Sequence, residues 1–262
     1  MEIVDIRIAR LAAYYGLLII PFGIMLWLNI PIISKTIIAL IRMTIQLLFV
    51  GFYLQVVFRL NNPWINVLWV VIMVGVADIS IVRGCDLKPK RFILPLFAAI
   101  FLGAALPLSM FTGTLIGRLK LLDARYVIPI GGMILGNCLR ADIIGIRNFY
   151  GNIRKDEKRF LFSLSQGAAL NEAILPYLRD ACAAALLPTI ATIATIGLVA
   201  LPGMMTGVIL GGANPMTAIK YQIAIMIAIF TGTAVTVVLA ILMTLRTGFD
   251  PYGNLDTGIF AN

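Results

Sequence analysis

Residues 11–34 carry no charged side chain, and neither do residues 181–219. A soluble chain, with about a quarter of its residues charged, rarely leaves such gaps. Crossing the hydrocarbon of a bilayer takes about 20 apolar residues as a helix, so each gap is long enough to cross. The other residues extend the pattern: of 262 residues, 61% are hydrophobic and 13% charged, and the mean hydropathy is +0.99. One buried helix cannot produce that average, whereas several segments with lipid as their solvent can. The sequence predicts an all-α polytopic membrane protein and excludes a soluble enzyme, a secreted disulfide scaffold and a disordered chain.

Composition removes much chemistry as well. There is no histidine, which excludes serine–histidine catalysis, HExxH zinc sites and histidine-ligated iron or haem. Cys85, Cys138 and Cys182 stand far apart with no CxxC pair, and read as isolated apolar thiols. A metal would have to be held by Met, Asp, Asn, Thr or carbonyl oxygens. GTLIGR at 113–118 lacks the spacing and lysine of a phosphate-binding loop, so no bound nucleotide or other cofactor is expected in this chain. A net charge of +9 would suit nucleic acid in a soluble protein. Beside lipid it marks cytoplasmic loops, and the bilayer rather than a nucleic acid is the expected partner.

Seven spans are expected, in a single transmembrane domain over 1–262. They lie near 11–30, 37–58, 64–82, within 92–117, near 126–146, within 181–219 and near 221–245. As one helix the uncharged stretch 181–219 would reach about 58 Å, far more than a bilayer. Pro188, Pro202-Gly203, Gly211-Gly212 and Pro215 offer places to break it. One span with a broken or re-entrant piece makes seven, and two short spans would make eight. The first span is too long for a cleaved signal peptide. Placing 147–180 in the cytoplasm puts fourteen of the 21 Lys and Arg residues inside and seven outside. That predicts the N-terminus outside and the C-terminus inside, with Arg7 and Arg10 dissenting.

Polar residues within spans are the candidates for a path. Arg42 and Gln46, four apart, share a helix face that turns to protein or water, or else Arg42 snorkels to the interface. Asp78 reads as an interfacial carboxylate. Asn137, in step with Met133 and Ala141, is either helix–helix glue or a substrate contact. Thr189, Thr192 and Thr195 form a slowly turning stripe, whose hydroxyls could also satisfy their own backbone. Met204 and Met205, after Pro202-Gly203, are gap-fillers or soft metal ligands. Gly132 and Gly136, and Gly203, Gly207 and Gly211, recur every fourth residue, the spacing at which helices or subunits pack closely in lipid.

The charged segment 147–180 carries Phe160, Leu161, Leu164, Ala168, Ile174, Leu175 and Leu178 at roughly helical spacing, interrupted at Gly167 and Pro176. Two or three amphipathic helices follow, able to dock on a soluble partner or lie on the membrane. Here the residues resemble a known family. GLVALPGMMTGVILGG at 197–212, with Pro215 and AIKYQI at 218–223, is similar to the signature of the FetB-type permeases. These are membrane subunits of ABC transporters linked to bacterial iron export, with plant relatives linked to aluminium tolerance. IPIGGMILGN at 128–137, IRMTIQLLFVGFYL at 41–54, Gly167-Ala168 and RDACAAALLPT at 179–189 fit the same family, from about residue 36 onward.

The resemblance implies a homodimeric permease in a bacterial inner membrane, working with two copies of a separate ATPase that binds ATP and Mg²⁺. It would export a metal ion such as iron, and would not itself be an enzyme. Gly167, Ala168, Glu172, Arg179 and Asp180 would belong to the helix that couples to the ATPase. In one stretch the pattern departs: members place Asp and Lys soon after the Pro-Thr of span six, where this chain has uncharged Ile190–Thr195. The alternative is a stand-alone secondary transporter or channel, which needs protonatable groups at mid-depth. Only Asp78 and Asp142 could serve, and both fall near expected span ends. A membrane-embedded enzyme lacks any paired carboxylate or nucleophile–base set.

Overall fold

In hydrocarbon the backbone has no water to bond, so a chain that crosses it closes its hydrogen bonds within helices. The computed structural model describes residues 8–117, 122–250 and 252–260. Its helices are α1 (Ile8–Tyr14), α2 (Ile19–Trp27), α3 (Ile33–Leu60), α4 (Pro63–Gly84), α5 (Pro89–Met110), α6 (Ala124–Lys155), α7 (Glu157–Ser165), α8 (Leu170–Thr195), α9 (Gly203–Leu210) and α10 (Pro215–Gly248). No strand occurs among the described residues, only isolated bridges. Among the described residues, seven stretches are long and apolar enough to cross a membrane, the first being Ala9–Trp27. Arg7, Arg118 and Lys120, three of the basic residues assigned to the outside, lie outside the described residues.

Two units are present, residues 1–60 with 210–212, and residues 61–209 with 213–262. In the first, a 3₁₀ turn at Tyr15–Leu18 joins α1 to α2, and the Tyr15 and Thr44 hydroxyls share a hydrogen bond of 2.5 Å. Arg42 and Gln46 are both exposed on α3.

In the second unit, helix starts are set by short polar side chains that receive first-turn N–H groups. Asn62 accepts from the Trp64 amide and Asn214 from the Met216 amide, each with proline next in line. Asp123 does the same for Arg125 at the start of α6. Helix α6 is the axis of the unit, packed against α4, α5, α8 and α10. Where α5 meets α10 the backbones nearly touch: a Cβ built on Gly103 would stand 3.0 Å from the Thr236 nitrogen and 3.1 Å from its Cα. A Cβ on Gly145 of α6 would meet the Val237 side chain at 2.9 Å, and one on Gly232 of α10 the Ile134 side chain at 3.0 Å.

One end of this unit is rich in basic residues: Arg83, Lys88, Lys90, Arg91, Arg154 and Arg246 lie at helix ends there, with Arg147 about two turns before the end of α6. An aromatic cluster closes it. Phe160 of α7 packs on Tyr177 of α8 and on Phe249 after α10, with centroids 6.0 and 5.8 Å apart. Tyr150 of α6 lies against Phe92, Phe149 and Phe249, and its hydroxyl donates to Thr244 at 2.9 Å. The tail folds back over this end: the Lys88 amide donates to Ile259, and Asp256 accepts from Arg91 at 2.6 Å.

Several expectations are corrected. The fifth span does not stop at Ile146. Helix α6 continues to Lys155, because Phe149, Tyr150 and Ile153 keep its inner face apolar through the charged stretch. Pro188 does not break the uncharged stretch either; α8 runs through Pro176 and Pro188 to Thr195. The break comes at Ile196–Pro202, followed by the short α9, which gives seven crossing helices. Gly136, Gly203 and Gly207 make no close packing within the chain, since a Cβ at any of them would meet nothing within 4 Å. At Gly132 a Cβ would stand 3.2 Å from the Met73 methyl. Asp78, expected at an interface, and Asp142, expected near a span end, are both fully buried within the chain, Asp142 midway along α6.

Two predictions follow from this packing. Gly103→Ala should destabilise the protein by about 1–3 kcal/mol, because the obstructing atoms include the Thr236 backbone as well as its methyl group. Gly207→Ala should leave the melting temperature of the monomer in detergent unchanged, and equal losses would refute the packing scheme. The Arg91 hydrogen bond, with that of the Gly258 amide, holds the Asp256 carboxyl below its ordinary value. A depressed carboxylate stabilises above its ordinary range and loses that contribution as pH falls through the folded value. Hydrogen exchange at 252–260 should therefore be slow at pH 7 and accelerate, after correction for intrinsic rate, below about pH 4. Asp256→Asn should show the fast exchange at pH 7.

Candidate functional site

A half-open cavity of about 460 Å³ lies where α6, α8 and α10 diverge beside the break after α8. Met133, Asn137, Arg140 and Ala141 line it from α6, Pro188, Thr189 and Thr192 from α8, and Gln222 and Met226 from α10. Ile196, Ala200, Pro202 and Gly203 close it on the side of the break. A second, apolar cavity of about 490 Å³ lies behind, and the two share Ile196, Pro202, Gln222 and Met226. Of the residues expected in a path, Met133, Asn137 and Thr192 meet in the first cavity, while Met205 lines the second. Thr195 and Met204 line neither. The Thr195 hydroxyl donates to the Ala191 carbonyl at 3.0 Å, and Met204 packs against the core.

The chemistry of the lining follows from where its hydrogens go. The Asn137 amide nitrogen donates one hydrogen to the Met133 carbonyl at 2.8 Å, which leaves its oxygen as an acceptor beside its second N–H. The Thr192 hydroxyl donates to the Pro188 carbonyl at 3.0 Å, which leaves lone pairs. Met133 and Met226 add thioether sulfurs. The surface is thus rich in acceptors, hard and soft. Arg140 is the charged residue of the lining; its side chain is exposed and its Nε donates to Gly136 at 3.4 Å.

Sequence reasoning missed Arg140, Gln222 and Met226. Gln222 and Met226 are one helical turn apart on α10, the spacing that singled out Met133 and Asn137. They stand in a strongly apolar span whose partner helix was not known, so nothing marked their face. Arg140 falls near the expected end of the fifth span at Ile146, among the basic residues expected inside, so nothing marked it as a lining residue.

Of the residues expected to couple to a partner, Gly167, Ala168 and Glu172 form an elbow at the basic end, and Arg179 and Asp180 lie further along α8. Gly167 ends α7 with φ +90°, its amide donating to Leu164 and that of Ala168 to Ser163. This is the left-handed turn that favours glycine. The Glu172 carboxylate accepts from the Ala169 amide at 2.9 Å, so α8 starts immediately. Glu172, Arg179 and Asp180 are exposed, as is Phe162, at 64%. Neither carboxylate oxygen of Asp78, and neither of Asp142, has a hydrogen-bond partner among the described residues. Neither has an ion-pair partner among the described residues.

Known proteins resemble the chain along most of its length. The profile of the family described as "Uncharacterised protein family (UPF0014)" matches residues 8–249. The UPF0014 membrane protein YjkA of Bacillus subtilis (strain 168) is 33% identical over 222 residues, 84% of this chain and 86% of the relative. The "Probable iron export permease protein FetB" of Escherichia coli (strain K12) is 33% identical over 205 residues, 78% of each chain. Protein ALUMINUM SENSITIVE 3 of Arabidopsis thaliana is 27% identical over 234 residues, 89% of this chain and 84% of the relative. No solved structure matches. With its profile match spanning nearly the whole chain and seven helices able to cross a bilayer, the chain belongs to the UPF0014 family of multi-pass membrane proteins.

Proposed function

We propose that this chain is the membrane-spanning permease subunit of an ABC transporter that exports a metal ion, in the manner named for its Escherichia coli relative. It acts as a homodimer with two copies of a separate ATPase, which binds ATP and Mg²⁺. The observation that carries this reading is the acceptor-rich cavity. The Asn137 amide and the Thr192 hydroxyl are turned to their own backbone, which favours a cation over an anion at their oxygens. The elbow at Gly167 supports an ATPase partner. Helices α6 and α8 line the cavity and run on to the end where the elbow stands, with Phe162 offering an apolar anchor for a groove. Closure of the ATPase dimer would move the elbows together and change the access to the cavity. The basic end is the cytoplasmic one by the positive-inside rule.

Two sets of variants test this. Gly167→Pro cannot adopt the required φ, since proline is held near −65°. Glu172→Arg removes the carboxylate that starts α8. Both should leave the protein inserted while uncoupling ATP hydrolysis from transport in vesicles that contain the co-expressed ATPase. In the cavity, Asn137→Leu and Gln222→Leu should each lower metal efflux roughly tenfold or more, for about 1.5–3 kcal/mol per lost polar contact. Full transport in all four, or failure of any ATPase to co-purify, would overturn the reading.

One observation favours a gradient-driven carrier instead: Asp78 and Asp142 are buried within spanning helices without an ion-pair partner. Asp142→Asn separates the two. Under the ATPase reading, ATP-driven efflux persists in the variant. A carrier that moves protons on Asp142 would lose all transport, and the wild-type chain would transport without ATPase.

A further inference from the structure

We propose that the basic end of the second unit holds a binding site for a phosphate-bearing anion, met in the membrane as the headgroup of an anionic lipid. A cavity of about 370 Å³ opens there between the end of α4, the last turns of α6 and the returning tail. Arg147, Gly151 and Arg154 follow one another at i, i+4 and i+7, so they share a face of α6, and all three are exposed. Gly151 leaves a notch between the two guanidinium groups, since a Cβ there would meet nothing within 4 Å. The Phe260 ring lies under Arg154, 5.2 Å from its guanidinium carbon, and fixes that side chain without neutralising it.

Arg147 shows what the notch is built to receive. Its contact is a single one of 3.5 Å to the Asp86 carboxylate, with both side chains more than half exposed. Asp86 occupies the left-handed turn that ends α4, with φ +53°. The Asp86 amide donates to Arg83 and that of Leu87 to Val82. A carboxylate is thus set beside Arg147 on a loose tether, where a phosphate with more charge and more acceptor oxygens would displace it and span both arginines. Cys85, Leu87 and Ile146 form an apolar floor, the environment of a headgroup whose chains continue into lipid. Basic pockets between spanning helices take anionic headgroups in this way.

The test uses the full-length protein in mild detergent, with the lipids retained counted by native mass spectrometry after exchange from mixed phosphatidylglycerol–phosphatidylcholine vesicles. Wild type should retain phosphatidylglycerol in preference. Each of Arg147→Gln and Arg154→Gln should weaken that preference roughly fivefold, and the pair over tenfold. Gly151→Leu should abolish it with no change of charge, and Asp86→Asn should strengthen it. Lys158→Gln with Arg159→Gln, the same charge change on α7 outside the cavity, should have no effect. If millimolar inorganic phosphate displaces the lipid and protects the fold equally, the anion is a free phosphate; if it does not, the anion is the headgroup. Preference unchanged in the double arginine variant, or lost equally in the α7 control, overturns the site, and a melting curve for each variant separates lost binding from lost folding.

Discussion

Every unpaired N–H or C=O that faces hydrocarbon costs several kcal/mol, and this one constraint decides where the chain can stop being helical. The long charge-free stretch is interrupted after Thr195, and much of the interruption is bonded. The Val199 amide donates to Thr195, that of Gly197 to Ala200 and that of Thr206 to Pro202, while threonine hydroxyls take up carbonyls at Pro188, Ala191 and Pro202. A break built in this way stands open toward a cavity with much of its backbone hydrogen bonding already met. That is why the polar lining collects here, on helices that elsewhere in the unit are close-packed.

The same constraint joins the two ends of the unit. Because α6 cannot be interrupted, its 32 residues reach from Asp123 to the aromatic cluster at the basic end. A force on α7 passes through Phe160 to Tyr177 of α8 and Phe249 after α10. All three cavity-lining helices are therefore gathered at the point where the elbow sits. Rigid helices held by large aromatic contacts transmit a displacement as a whole, whereas an isolated loop would absorb it.

How much of this could be read without coordinates depends on the kind of signal. Helix existence came from charge-free runs, which are long-range and robust, so all seven crossing helices were legible. Their ends were not, because Phe149, Tyr150 and Ile153 bury one face of α6 while Arg147, Arg154 and Lys155 occupy the other, and a running average sees only the charges. Proline misled at 188 and pointed correctly at 202. In a crossing helix the lost bond at a proline can be tolerated, whereas Pro202-Gly203 follows a glycine at φ +86° that turns the chain away. Half of the proposed path, Met133, Asn137 and Thr192, was legible from spacing. Gln222 and Met226 were not, because only the crossing of α10 over α6 and α8 shows which of its faces is inward. Glycine spacing was the weakest signal: Gly103, Gly145 and Gly232, which have no regular neighbours in sequence, make the close approaches.

Arg140 at the edge of an acceptor-rich cavity is a conflict of signs with a physical use. Met, Asn and Thr ligands without a carboxylate hold a cation weakly, and a guanidinium in the same lining weakens it further. A storage site would be spoiled by that arrangement. A conduction site requires it, since binding must be strong enough to draw the ion from water and weak enough to release it. With no acidic residue in the lining, the free energy of release from such a site would stay small, and under the proposed function an ATPase partner would have only to change which side the cavity faces.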